Sequence, residues 1–270
     1  MEYKLVALDL DDTLLLDDQT LEPEARDLIL QLQDRSIEFI IATGRTYSAA
    51  IGYVRELEIS TPVVCHNGAY VRNPGGEVVS HDPIPLELAR EILRYCEEQG
   101  LEICVYIEDS LYFRRRNRLT HSYESTSGIQ GRATENFLSE EIESPPTKML
   151  ILEDDERRQK YYLEELKEFY QKRLNITTSK PEFIEIISGG VDKSRALQEI
   201  TAGMGIEFED VLAVGNGFND LGMLKWAGLG IAVDNAPAGV REGADRITAS
   251  NEEAGVARVL KRIFFDDEEA

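Results

Sequence analysis

Apolar residues in this chain follow two rhythms. Five short, nearly continuous runs, "KLVALDL", "EFIIAT", "TPVVCHN", "DVLAVG" and "LGIAV", have the make-up of strands buried on both faces. Between them, apolar positions recur at helical spacing: Ala25, Leu28, Ile29 and Leu32; Leu197, Ile200 and Met204; Val256, Val259, Leu260 and Ile263. Strands alternating with helices predict β-α-β units and an α/β fold with a doubly wound, mostly parallel sheet.

The middle third breaks this rhythm. Pro83 and Pro85 precede a helical pattern at Ala89, Ile92, Leu93 and Cys96. "EICVYIEDSLYFRR" reads as two strands around a turn at Asp109 and Ser110, and Pro145 and Pro146 interrupt the chain again. "TKMLILE" predicts a strand, residues 156–172 a helix, and "NITTS" with "FIEIIS" a strand pair. "SGGVD" is a plausible hinge, because glycine accepts backbone angles that other residues resist. The expected organisation is a core of residues 1–82 and 188–270, with an inserted α+β unit over 83–187. The acidic end "FFDDEEA" is expected to fray.

Charge narrows the field of partners. Asp and Glu outnumber Lys and Arg by 51 to 29, a formal charge of −22, which argues against a nucleic-acid backbone as ligand. No apolar run is long enough to span a bilayer, and no export signal is read at the start. Cys65, Cys96 and Cys104 are scattered and odd in number, so reduced, buried thiols in a cytoplasmic protein are expected. A monomer or homodimer is expected. His66, His81 and His121 lack ligand spacing, Trp226 reads as packing, and the basic cluster Arg114 to Arg118 reads as a solvated turn.

Ligands of open parallel sheets sit at the carboxyl ends of strands. Here those ends deliver Asp9 and Asp11, then Thr43 with Gly44 and Arg45, then Asn67, then Asn216, Asn219 and Asp220. Asp9 and Asp11 stand two apart, and on an ideal strand they face one way. Packed together they repel, and one is driven to stay protonated. A divalent cation removes the conflict, and oxygen ligands without a His or Cys cluster point to Mg²⁺. Asp12 and Thr13 read more simply as a turn or cap. Lys193 alone reads as a surface lysine; beside these aspartates it reads as a cation aimed at the rim. The backbone of the "TGR" turn offers N–H groups to a phosphate oxygen. "GNGFND" reads both as an N-capped turn, with Asn219 or Asp220 the cap, and as a source of an oxygen ligand at Asn216.

A phosphate dianion about 4 Å from Asp9 meets roughly 8 kcal/mol of repulsion at an effective dielectric near 20. A metal and Lys193 supply the offsetting attraction. Asp9 then attacks phosphorus to give an aspartyl-phosphate, while Asp11 protonates the leaving alcohol and later deprotonates water.

These motifs resemble the haloacid dehalogenase-like hydrolase superfamily. Its D-x-D-x-T motif stands here as Asp9-Leu10-Asp11-Asp12-Thr13, and "TGR", the late lysine and "GNGFND" follow in the family's order. The insert, with "CHNGAYV" before it, looks like the Cof-type branch with its class II, subclass B cap. The resemblance implies Asp9 as nucleophile, Asp11 as general acid/base, and Thr43 and Lys193 on the phosphoryl group. It also implies Asp9, the Asp11 carbonyl and Asn216 on Mg²⁺, Asn219 near the phosphate, and Asp220 behind them. Where the family has aspartate, this chain has Asn216, so weaker metal affinity is expected. The implied function is Mg²⁺-dependent hydrolysis of small phosphorylated metabolites such as sugar phosphates. A phosphomutase, a receiver-type phospho-switch and a non-catalytic binder of phosphorylated ligands are the alternatives.

Overall fold

The computed structural model describes residues 3–265; the last five residues of the expected frayed end lie outside the described residues. Five strands form one parallel sheet in the order Arg246–Ile247, Leu229–Ala232, Val211–Gly215, Leu5–Leu8, Glu38–Ile41. Leu5–Leu8 lies between Val211–Gly215 and Glu38–Ile41, all four of its residues buried, which is why it reads as an unbroken apolar run. "TPVVCHN" joins this sheet only through the bridge of Ala42 to Val64 and the bond from Thr43 N to Val64 O at 2.8 Å. Its main pairing is antiparallel, with Tyr70–Arg72, which in turn pairs with Val78–His81. The sequence pattern missed this small sheet, whose last strand begins with exposed Val78 and Val79 and so lacks a buried face. Helices Pro23–Gln33 and Gly255–Phe264 pack together, as do Lys193–Met204 and Leu221–Trp226.

Between Asp82 and Ser188 the chain builds a second sheet with its own hydrophobic clusters. Its order is Leu174–Thr177, Phe183–Ser188, Lys148–Leu152, Glu102–Ile107, Ser110–Phe113, Arg132–Ala133, antiparallel except for the last pair. Strand alternation sorts its residues onto two faces. Ile103, Val105, Met149, Ile151, Ile184 and Ile186 pack under helices Leu86–Gln99 and Glu156–Tyr170. Cys104, Tyr106, Leu150 and Leu152 lie on the opposite face with Tyr123 and Phe183. By the same alternation Lys148 and Glu185 also stand on that second face, which looks toward the parallel sheet.

Arg114 to Arg118 lie clear of the site. Arg114 stacks over Phe137, Arg116 pairs with Glu124, and Arg118 pairs with Asp154. The three cysteines are buried and unpaired. Trp226 is half-buried against the main core. Among the described residues no helix is long and apolar enough to cross a membrane.

Candidate active site

The first strand ends at Leu8, and the next residues coil into a tight turn rather than extending the strand. Asp12 adopts a left-handed conformation at φ 55°. A turn, not the ideal strand of the expectation, carries Asp11; both carboxylates line one cleft, and each finds its own cation.

Asp9 faces inward, 4% exposed, and its Oδ1 accepts from Lys193 Nζ at 2.7 Å. Lys193 is fully buried and also donates to Asp220 Oδ1 at 2.6 Å. Asp192 caps the helix that Lys193 begins, its Oδ1 accepting from Arg195 N at 2.8 Å. Gly68 lets the "CHNG" turn lie against this helix start: its φ is +102°, and a β-carbon there would sit 2.2 Å from the Asp192 carbonyl oxygen. Burial and the Asp220 carboxylate push the Asp9 carboxyl up to about 8, against the pull of Lys193. A further positive charge beside Asp9 would restore the anion.

Asp220 is not the side-chain cap that "GNGFND" suggested. Its Oδ2 reaches back to accept from the N–H groups of Asn216 and Gly217 at 2.9 and 2.8 Å. One carboxylate thus fixes the loop and neutralises Lys193. Gly215 permits this, since a β-carbon there would lie 2.7 Å from the Asp220 side chain.

Asp11 is held by a bidentate pair: Arg45 Nε to Oδ2 at 2.9 Å and Nη2 to Oδ1 at 2.6 Å. Burial raises the Asp11 carboxyl, but the guanidinium more than offsets this and the net shift is downward. Arg45 also bonds Gln19 and lies 5.2 Å from the Tyr53 ring centre. Its guanidinium is therefore committed to Asp11 in this structure. Thr43 is buried, with Oγ1 accepting from Arg45 N at 3.1 Å. Asn67 sits behind the site: its Nδ2 donates to Glu185, and its Oδ1 accepts from Asn219 Nδ2 at 2.9 Å. Asn219 Oδ1 is buried without a hydrogen-bond partner.

A cleft opens between the two sheets. Asp9, Asp11, Gly44, Arg45, Asn216 and Asn219 line one side. The other carries Tyr106, Tyr123, Lys148, Phe183 and Glu185, which the sequence reading did not single out. Lys148 and Glu185 had a signal, because each is a charge inside an otherwise apolar strand. Lys148 is 3% exposed, donates to the Gly44 carbonyl at 2.7 Å, and lies 3.7 Å from Glu185. Asp109, in the turn of the Glu102–Phe113 hairpin, accepts from Tyr47 N at 2.9 Å and Ser48 N at 3.2 Å. It thereby caps the helix that follows "TGR".

The oxygens on the core side suit a hard cation. The Asp9 carboxylate, the Asp11 carbonyl and the Asn216 carboxamide would supply an oxygen-only donor set. Among the described residues no cluster of three His, Cys, Asp or Glu side chains is placed to hold a metal. An ion here would keep several waters, as Mg²⁺ does.

Comparison with known proteins agrees with this geometry. The family model for haloacid dehalogenase-like hydrolases matches residues 6–260. A Bacillus subtilis protein named 5-amino-6-(5-phospho-D-ribitylamino)uracil phosphatase YitU is 34% identical over 98% of this chain and 99% of its own length. A second from that organism, YcsE, bears the same activity name and is 32% identical over 97% of this chain and 96% of itself. The crystal structure of TM0651 from Thermotoga maritima superposes with a TM-score of 0.82 at 32% identity, covering 98% of both chains. With its acid, lysine and loop motifs in place along a single matched stretch, the chain belongs to the haloacid dehalogenase-like hydrolases, in their Cof-type branch.

Proposed function

We propose that this chain is a Mg²⁺-dependent phosphatase that hydrolyses small phosphomonoesters through an aspartyl-phosphate on Asp9. One observation carries the reading: the carboxyls of Asp9 and Asp220 flank the buried Lys193 ammonium at the floor of a two-sided cleft. Phosphatase is also the activity shared by the names of YitU and YcsE, and their phosphoribityl substrate is of the same size class.

Asp9 Oδ2 is the attacking atom, since Oδ1 is taken by Lys193. As the Oδ2–P bond forms, the bond from phosphorus to the leaving oxygen breaks, and that oxygen takes a proton from Asp11. Water then gives a proton to Asp11 and attacks phosphorus, releasing Asp9 and inorganic phosphate. Lys193 neutralises Asp9 and the phosphoryl oxygens, while Thr43 Oγ1 fixes the "TGR" turn by accepting from Arg45 N. Asp9, the Asp11 carbonyl and Asn216 would hold Mg²⁺, which supplies the positive charge that lets one anion approach another. With both oxygens on Arg45, Asp11 is an anion. To serve as the acid it leaves the guanidinium and takes up a proton from solvent, so substrate binding breaks that pair. Residues 83–187 act as a cap, with Asp109 as its clasp on the core, excluding water during transfer and reopening for hydrolysis.

The test is release of inorganic phosphate from p-nitrophenyl phosphate and a panel of phosphorylated metabolites, with Mg²⁺ and with excess EDTA. Turnover that requires Mg²⁺ and is lost in Asp9→Asn supports the reading. Binding without turnover would favour the non-catalytic alternative.

A further inference from the structure

Each carbonyl of the "TGR" turn accepts a hydrogen bond, and the donors come from both sides of the cleft. Asn67 N donates to Thr43 O at 3.0 Å and His66 N to Arg45 O at 2.9 Å, both from the "CHNG" turn of the core. The middle carbonyl, Gly44 O, takes its donor from the cap: Lys148 Nζ at 2.7 Å. The Gly44–Arg45 peptide is thereby held at both ends, since Arg45 N donates to Thr43 Oγ1 at 3.1 Å. Gly44 and Arg45 line the cleft together with Asp9, so the pose of this peptide shapes the wall beside the attacking carboxylate.

Glu185 holds the arrangement from behind. Its carboxylate accepts from Asn67 Nδ2 and, at 2.9 Å, from Ser179 Oγ, and it lies 3.7 Å from the Lys148 ammonium. A β-carbon at Gly44 would sit 3.0 Å from Asn67 Oδ1 and 3.7 Å from Glu185 Oε1, so the turn packs directly on both side chains. Lys148 and Glu185 are both buried. An apolar pair at these positions would avoid the desolvation of two ions, so adhesion of cap to core does not by itself account for them.

From these contacts we infer that Lys148, kept in place by Glu185, is a positioning residue for the phosphoryl group, acting through the Gly44–Arg45 peptide. The inference rests on the phosphatase reading above and deepens it. A displacement of the cap by about 1 Å along the Lys148 bond takes it past hydrogen-bond range, so the turn is fully anchored only with the cap seated.

Inorganic phosphate is the probe, because it has no leaving group for the cap to touch. Its competitive inhibition constant is measured against p-nitrophenyl phosphate with Mg²⁺ in the parent, Lys148→Met and Glu185→Gln, alongside melting temperatures. Lys148→Met removes a positive charge from the cleft and Glu185→Gln a negative one. Charge acting through space, or direct contact of Lys148 with the anion, would therefore raise the constant in the first variant and lower it in the second. Positioning predicts a rise in both: about tenfold for Lys148→Met, the size of one hydrogen bond to a charged group, and about threefold for Glu185→Gln, whose amide turns an N–H toward Lys148 or Asn67. Glu185→Gln carries the test alone if Lys148→Met fails to fold. A Glu185→Gln constant at or below the parent's, or a Lys148→Met constant within about twofold of it, overturns the inference while the phosphatase reading stands, whatever the melting temperatures do. If the parent hydrolyses no phosphomonoester, the phosphatase reading falls. The dissociation constant of inorganic phosphate, read by calorimetry, then replaces the inhibition constant with a rise again expected in both variants, and a parent that binds no phosphate overturns the inference as well.

Discussion

Replacing Lys193 by methionine tests the buried charge chain at the floor of the cleft. Lys193 Nζ lies 2.7 Å from Asp9 and 2.6 Å from Asp220, and its side chain is fully buried. At an effective dielectric near 20, each contact is worth roughly 6 kcal/mol of attraction. Desolvation of the ions offsets much of that. Removing the cation leaves two buried carboxylates with no counter-charge, a change that costs about 3–5 kcal/mol in comparable buried pairs. At about 2–4 °C per kcal/mol for large domains, Lys193→Met should lower the melting temperature by about 10 °C near pH 8. The sign of the pH dependence follows from the charges. Without Lys193 the Asp9 carboxyl rises further, so the folded variant binds protons more tightly than the unfolded chain. Its deficit therefore shrinks as pH falls toward 5 and holding the proton on buried Asp9 costs less. Thermal unfolding by circular dichroism at pH 8 and pH 5 reads both numbers. The double variant Lys193→Met/Asp220→Asn should recover part of the loss at pH 8 and still lack phosphatase activity. A Lys193→Met protein as stable as the parent at pH 8 would refute the reasoning.

Other outcomes follow from the same geometry. Asp9→Asn should abolish release of phosphate while leaving the melting temperature unchanged or higher, since it removes one of two carboxylates around Lys193. Arg45→Ala should lower kcat by roughly tenfold, and the Asp11 carboxyl should move up, so the acidic limb of the pH–rate profile shifts to higher pH. Asp109→Ala should raise KM and lower stability by about 1 kcal/mol, and Asp109→Asn should restore much of both, because asparagine also caps helices. His66 is fully buried, and desolvation holds its imidazole well below the usual value. The unfolded chain therefore takes up the proton first, and stability should fall by up to about 1.4 kcal/mol per pH unit below about pH 6.5. His66→Asn tolerates the left-handed backbone at φ 48° and should flatten that decline in denaturant titrations.

Much of the core was legible because its strands are buried on both faces and so read as unbroken apolar runs. Asp9, Thr43, Lys193 and Asn216 were legible because the polar residue follows the run directly, at the carboxyl end of a strand or the start of a helix. What the pattern did not carry was side-chain direction. Nothing in Asp9-Leu10-Asp11 says that the chain coils after Leu8, so the capture of Asp11 by Arg45 appears only in three dimensions. Asp220 looked like a helix cap because asparagine and aspartate before helices commonly are; a buried lysine 27 positions earlier outcompeted that local role. The cap wall was hidden for another reason. Tyr106, Lys148 and Glu185 sit in strands whose alternate residues fill two different clusters, and only the sheet's orientation tells which cluster faces the cleft.

The central claim is that Asp9 carries the phosphoryl group. Mixing the protein with a radiolabelled phosphomonoester and Mg²⁺, quenching in acid within milliseconds and mapping the label by peptide mass spectrometry tests it directly. The account expects acid-stable, hydroxylamine-sensitive label on the peptide containing Asp9, absent from Asp9→Asn. Label on another residue, or steady turnover with no label on the protein at any quench time, would contradict it.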